Sequence, residues 1–133
     1  MLKLEIVTPE RKVFDSEVEF VTLPTASGEA TILSNHAPLV SELKPGVLSY
    51  SMRGAAERLA IAAGFVEVSG NKVSVLTDAA EAPGEIDVEA ARAERAEAEK
   101  ELAAAAQADI DSTAPLRERL ESANIRLQVA SGK

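Results

Sequence analysis

The chain's only histidine, His36, stands in "GEATILSNHAPLVSELKPG", residues 28 to 46, between a Ser-Asn turn and an Ala-Pro step. Histidine titrates nearest to neutral pH and is the usual general acid or base, but catalysis by it needs a partner nucleophile or ligand. None is evident in the sequence. With no cysteine and no second histidine, disulfides, thiolate chemistry and the usual zinc ligand sets are out of reach. No Gly-x-x-x-x-Gly-Lys-Ser/Thr phosphate loop, Gly-x-Ser-x-Gly elbow or His-Glu-x-x-His pair occurs. Many of the carboxylates fall in runs of helix formers, where they read as a solvated face. These residue types point to binding, with His36 as an interface residue beside a turn.

The elements that would position it come from one compact domain with an appendage, since 133 residues do not supply two full cores. A formal net charge of −8 excludes non-specific binding to nucleic acid, which needs clustered Lys and Arg, and leaves proteins as the expected partners. "MLKLEIVTPERKVF" alternates and carries charge throughout, so it is expected to be neither a signal peptide nor a membrane span.

To about residue 78 the pattern is that of strands: "LKLEIVT", "EVEFVTL", "ATIL", "PLVSEL", "GVLSYSM", "LAIAAGFVEV" and "KVSVLT" are short and rich in Val, Ile and Leu. Ser27-Gly28, Ser34-Asn35, Pro45-Gly46, Arg53-Gly54 and Gly70-Asn71 supply the turns. A β-sandwich or barrel over residues 1–82 follows. Gly64, in the middle of an apolar run, marks either a bulge or a close backbone approach.

From Pro83-Gly84 the period changes. "IDVEAARAERAEAEKELAAAAQ" predicts a helix of about 20 residues with Asp87 as N-cap and Ile86 before it. Its inner stripe, Val88, Ala91, Ala98, Leu102 and Ala105, is mostly alanine, is interrupted by Arg95 and buries little area. After "ADID" a second helix is expected to start between Ser112 and Ala114, because Pro115 is tolerated in a first turn. Its apolar face is Leu116, Leu120, Ala123 and Leu127. Two helices joined by a few residues form an antiparallel hairpin over residues 83–133. Residues 79–110 carry nine acidic groups against three basic, and residues 111–133 three against four. The last helix is the basic one.

The segments "HAPLVSELKPGVL", "AIAAGFVEVSGNKVSVLTDAAE" and "EIDVEAARA", with "RLQVA" close to the end, closely resemble the epsilon subunit of bacterial F-type ATP synthases, in order and spacing over nearly the whole chain. The resemblance implies a β-sandwich of about ten strands that docks on the gamma subunit and the c-ring, followed by a C-terminal two-helix hairpin. It implies a non-catalytic rotor subunit that couples proton flow to ATP synthesis, on the cytoplasmic face of the bacterial membrane and attached only through the complex. Carried over residue by residue, Glu29 and Thr31 face the c-ring, and His36 and Pro38 face gamma. Arg119 and Arg126 would meet acidic segments of the beta subunits, with alpha also contacted, when the hairpin extends to inhibit hydrolysis.

This sequence departs from the family at Ser34-Asn35, where Pro-Gly is usual, and at Ala63, where Gly-Gly is usual. Members that bind ATP carry Ile-Asp-x-x-Arg-Ala at the start of the first helix. Here Ile86, Asp87 and Arg126 keep their places, but Ala90 stands at the arginine position and Ser122 replaces another expected arginine. Guanidinium forks are what a phosphate needs, so the expected nucleotide site is degenerate and no cofactor is expected. A competing reading from the residues alone is a free-standing adaptor whose sandwich binds a small ligand and whose helices dimerise. The short alanine stripes argue against the sustained coiled coil this would need.

Overall fold

A computed structural model of the chain describes residues 1–131. Ten strands come first: β1 (Leu2–Val7), β2 (Lys12–Val18), β3 (Phe20–Thr25), β4 (Gly28–Ile32), β5 (Leu39–Leu43), β6 (Gly46–Met52), β7 (Ala55–Ile61), β8 (Gly64–Ser69), β9 (Lys72–Thr77) and β10 (Ala80–Glu81). Two helices follow a single 3-10 turn at Pro83–Glu85: α1 (Val88–Ala104) and α2 (Ile110–Ala130). One compact unit is Met1–Glu81, and a second begins at Ala82.

The strands form two layers. One runs β4-β3-β6-β7-β10 and the other β5-β8-β9-β1-β2, and they are joined by a single β-bridge, Thr25 to Leu43. All pairings are antiparallel except β1 with β9, which is parallel and brings the first strand beside the ninth. Alternation then does what a period of two requires. Val21, Leu23, Ile32, Leu48, Leu59 and Ile61 point inward from the first layer. Leu2, Leu4, Ile6, Val18, Val66, Val68, Val73 and Val75 do so from the second, and all are buried.

Seven apolar stretches thus become ten strands. "LAIAAGFVEV" divides into β7 and β8 at Ala62–Ala63, and Gly64 resolves as a close approach: a Cβ there would lie 2.0 Å from the Leu76 carbonyl oxygen and 2.8 Å from Thr77 Cα. Asn35 replaces a turn glycine without loss of the turn, since it adopts φ +66°, a conformation Asn tolerates.

In the second unit, Asp87 caps α1 by accepting the Ala90 N–H at 3.0 Å. The second helix starts earlier than its proline predicts. Asp109 accepts the Ser112 N–H at 2.8 Å, so α2 begins at Ile110 and Pro115 lies inside it. The missing proline N–H falls in the second turn and is the one that would reach the Asp111 carbonyl, whereas the side-chain bonds nearby go to the carbonyl before it. The Thr113 hydroxyl donates to the Ile110 carbonyl at 3.1 Å, and the Arg117 guanidinium donates to the same oxygen. The helices pack antiparallel: Arg119 of α2 reaches Glu94 and Glu101 of α1, and the end of α2 lines a hollow with the start of α1. On α1 only Ala91 and Ala98 are buried, while Val88, Leu102 and Ala105 are half-covered.

Candidate functional site

On the second layer, outward positions should be polar. β8 obeys with Glu67 and Ser69 and breaks the rule at Phe65; β9 obeys with Lys72 and Ser74 and breaks it at Leu76. The register makes these breaks neighbours, because Phe65 pairs with Leu76 and Leu76 pairs with Val7 of β1. Phe65 and Leu76 are 56% and 57% exposed, and Val40, outward on β5, is 73% exposed. An open cleft of about 530 Å³ lies at this end of the strands, lined by Val7, Pro9, Leu43, Ala63, Phe65 and Leu76 among others. The sequence pattern predicts "LAIAAGFVEV" and "KVSVLT" as strands and does not single out this row. The available signal was the break in period two.

His36 lies at the far end of the same layer, in the exposed loop between β4 and β5. Its Nδ1 is 2.7 Å from the Ala37 carbonyl oxygen, and its backbone N–H donates to the Leu33 carbonyl at 3.2 Å. The loop is tied down by Asn35, whose N–H donates to Asn71 Oδ1 at 2.6 Å in the β8–β9 turn. Pro38 is exposed and leads into β5 two residues before Val40. His36 and the Phe65 row therefore mark opposite ends of one layer, about 20 Å apart by strand rise.

Glu29 and Thr31 belong to the other layer. Both are exposed on the outer side of β4, next to the β3–β4 turn, and the Thr31 and Thr22 hydroxyls lie 3.0 Å apart across the pair. This face is polar. The two sets of residues singled out in the sequence thus occupy different layers of the sandwich, one continued by apolar side chains and the other by hydroxyls.

The remaining candidates lie in the hairpin. Ala90, Ser122 and Arg126 line one open groove of about 590 Å³ between α1 and α2, with Glu94, Glu118 and Arg119. Asp87 is spent on the α1 cap and Ile86 is buried. Arg119 is engaged by three carboxylates of α1: it donates to Glu94, to Glu101 at 2.8 Å, and has Glu97 at 3.9 Å. Its hydrogen bonds to the Glu94 and Glu101 carboxylates hold its guanidinium above its ordinary pKa. Two acidic groups line the groove beside its arginines, which disfavours a phosphate.

Among the described residues no cluster of His, Cys, Asp and Glu could hold a metal ion. A sandwich with an exposed apolar row on one polar face, followed by a thinly packed charged hairpin, defines an interaction subunit. The family described as ATP synthase, delta/epsilon chain, beta-sandwich domain matches residues 1–83. The ATP synthase epsilon chain of Carboxydothermus hydrogenoformans is 53% identical over 95 residues, covering 71% of this chain and 69% of that one. That of Herpetosiphon aurantiacus is 41% identical over 129 residues, covering 97% and 93%. The Euglena gracilis mitochondrial ATP synthase structure contains a chain similar at TM-score 0.81 and 26% identity, covering 98% of this chain and 81% of that one. The chain belongs to the ATP synthase delta/epsilon chain family. It is a non-catalytic rotor subunit of that membrane-associated complex.

Proposed function

We propose that the sandwich docks on the gamma subunit through the Phe65–Leu76–Val7 row, continued along Val40 to the loop of His36 and Pro38. The row carries this reading, because exposed apolar side chains in register on an otherwise polar face mark an interaction surface. Glu29 and Thr31, on the other layer, face the polar loops of the c-ring. One rigid body then links two partners. A sandwich whose core is close-packed deforms little, so rotation of the c-ring driven by proton flow passes through it to gamma without a covalent step.

Residues 1–82 act as the docking body and residues 83–133 as the regulator. In the extended state Arg119 and Arg126 meet acidic segments of the beta subunits, with alpha alongside, and hydrolysis stops. Nucleotide binds weakly, since Ala90 and Ser122 offer no guanidinium and Arg119 is already paired. No described helix is long and apolar enough to cross a membrane, and in this reading the chain is held at the cytoplasmic face of the bacterial membrane by its partners.

The absence of native cysteine allows a direct test. In the assembled complex, His36→Cys should cross-link to gamma and Glu29→Cys to the c subunit. The reverse pattern, or cross-links to neither, would overturn the assignment of the two faces.

A further inference from the structure

We infer that Arg119 and the Glu94, Glu97 and Glu101 stripe form an ionic latch that sets the balance between the packed and the opened hairpin. The inference rests on the regulatory reading above only for its consequence in the complex. Its own ground is the set of ion pairs Arg119 makes across the helices, together with the thin apolar contribution of α1. The side chains fully buried on α1 are two alanines, which contribute little apolar area.

The stripe is positioned by the helix period. Glu94, Glu97 and Glu101 are three and four residues apart, so they share one face of α1, and like charges at those spacings repel. In the packed hairpin Arg119 sits against all three, donating Nε to Glu94 and Nη1 to Glu101, with Nη2 near Glu97. Its planar guanidinium presents donors in fixed directions, so Nε and Nη1 can each meet a different carboxylate of the stripe in one geometry. Opening therefore separates Arg119 from three partners and leaves an uncompensated acidic stripe. Other charged groups facing the groove are Glu118 and Arg126 of α2.

The latch gives Arg119 two competing sets of acidic partners. Carboxylates of its own α1 hold it in the packed state, and those of another subunit would hold it in the opened one. The equilibrium then depends on the difference between two similar ion-pair sets, which is small and easily shifted.

The test uses the full chain, spin-labelled at Ala93→Cys and Gln128→Cys, two exposed positions on facing helices, with pulsed distance measurements. Neutralising the stripe with Glu94→Gln and Glu101→Gln should raise the ratio of separated to packed hairpin about fivefold, the scale expected for two partly exposed pairs. Raising salt should move the unmodified chain the same way. Glu99→Gln, an exposed carboxylate off the stripe, should change nothing. Charge exchange, Arg119→Glu with Glu94→Arg and Glu101→Arg, should restore the packed distance, which a variant that had simply failed to fold would not do. Identical distance distributions for the neutralised stripe and Glu99→Gln would overturn the latch. Separation that opens as described while hydrolysis by the complex stays unchanged would support the latch and remove the inhibitory role instead.

Discussion

Replacing Phe65 and Leu76 together by threonine takes away the centre of the apolar row while putting a strand-favouring β-branched residue at each position. Fully burying a side chain of this size is worth about 1.5–3 kcal/mol. Phe65 and Leu76 still expose 56% and 57% of their surface, so roughly half of that remains to be gained at an interface. Allowing for the methyl that threonine keeps, the pair is worth ~2 kcal/mol of docking, or about a 30-fold weaker Kd. The isolated chain should hardly notice, because these side chains lie outside the core and surface changes typically fall within about 0.5 kcal/mol. Calorimetric titration of purified gamma with wild-type and double-variant chain measures the loss, and the binding heat capacity should become less negative as apolar burial shrinks. Thermal melts of the free chain supply the control. If the variant melts normally and binds gamma within about twofold of wild type, the row is not the docking face. A melt lowered by many degrees would show instead that the row belongs to the core.

Gly64→Ala should destabilise the sandwich by about 3 kcal/mol or more, because its Cβ would collide with main-chain atoms of β9 that have no rotamer to escape into; a melt within a degree of wild type would contradict this. Removing residues 87–133 should leave the sandwich folded and still joined to gamma and the c-ring, since its core is drawn from both layers of the strand unit, while hydrolysis by the complex rises. Equal hydrolysis with and without the hairpin would dismiss it as an inhibitor. Glu19 accepts the Gly54 N–H at 2.9 Å and the Ser51 hydroxyl at 3.0 Å, which hold its carboxyl below the ordinary value of 4.5. Its folded pKa is the lower one, so its contribution is complete above the unfolded value and is lost as pH falls through the folded one. Glu19→Gln should flatten the acid limb of the stability curve below about pH 4.5, measured by denaturant titration at several pH values, and leave the slope at neutral pH unchanged.

The features that the sequence determined by itself are those whose causes lie within a few residues. Asp87 caps α1 because its carboxylate reaches an N–H three residues on, and the alanine stripe of α1 follows from a period of 3.6. Alternation supplied the inward residues of the strands, and Asn35 kept its turn through its own tolerance of positive φ. Where a local rule met a competing one it failed: Pro115 argued for a late start to α2, but the Asp109 carboxylate capped an earlier one. What only the tertiary structure decided involves residues brought together from far apart. Phe65 and Leu76 look like any other strand residues until the parallel pairing of β1 with β9 sets Val7 beside them and leaves the row uncovered. Gly64 could have been a bulge until β9 came within 2.0 Å of its missing Cβ. Arg119 read as one of several basic residues on a helix face, and its three partners lie 18 to 25 residues earlier, on another helix. Periodicity reports which side of an element a residue occupies, whereas what stands on that side depends on chain closure across many residues, which no local pattern encodes.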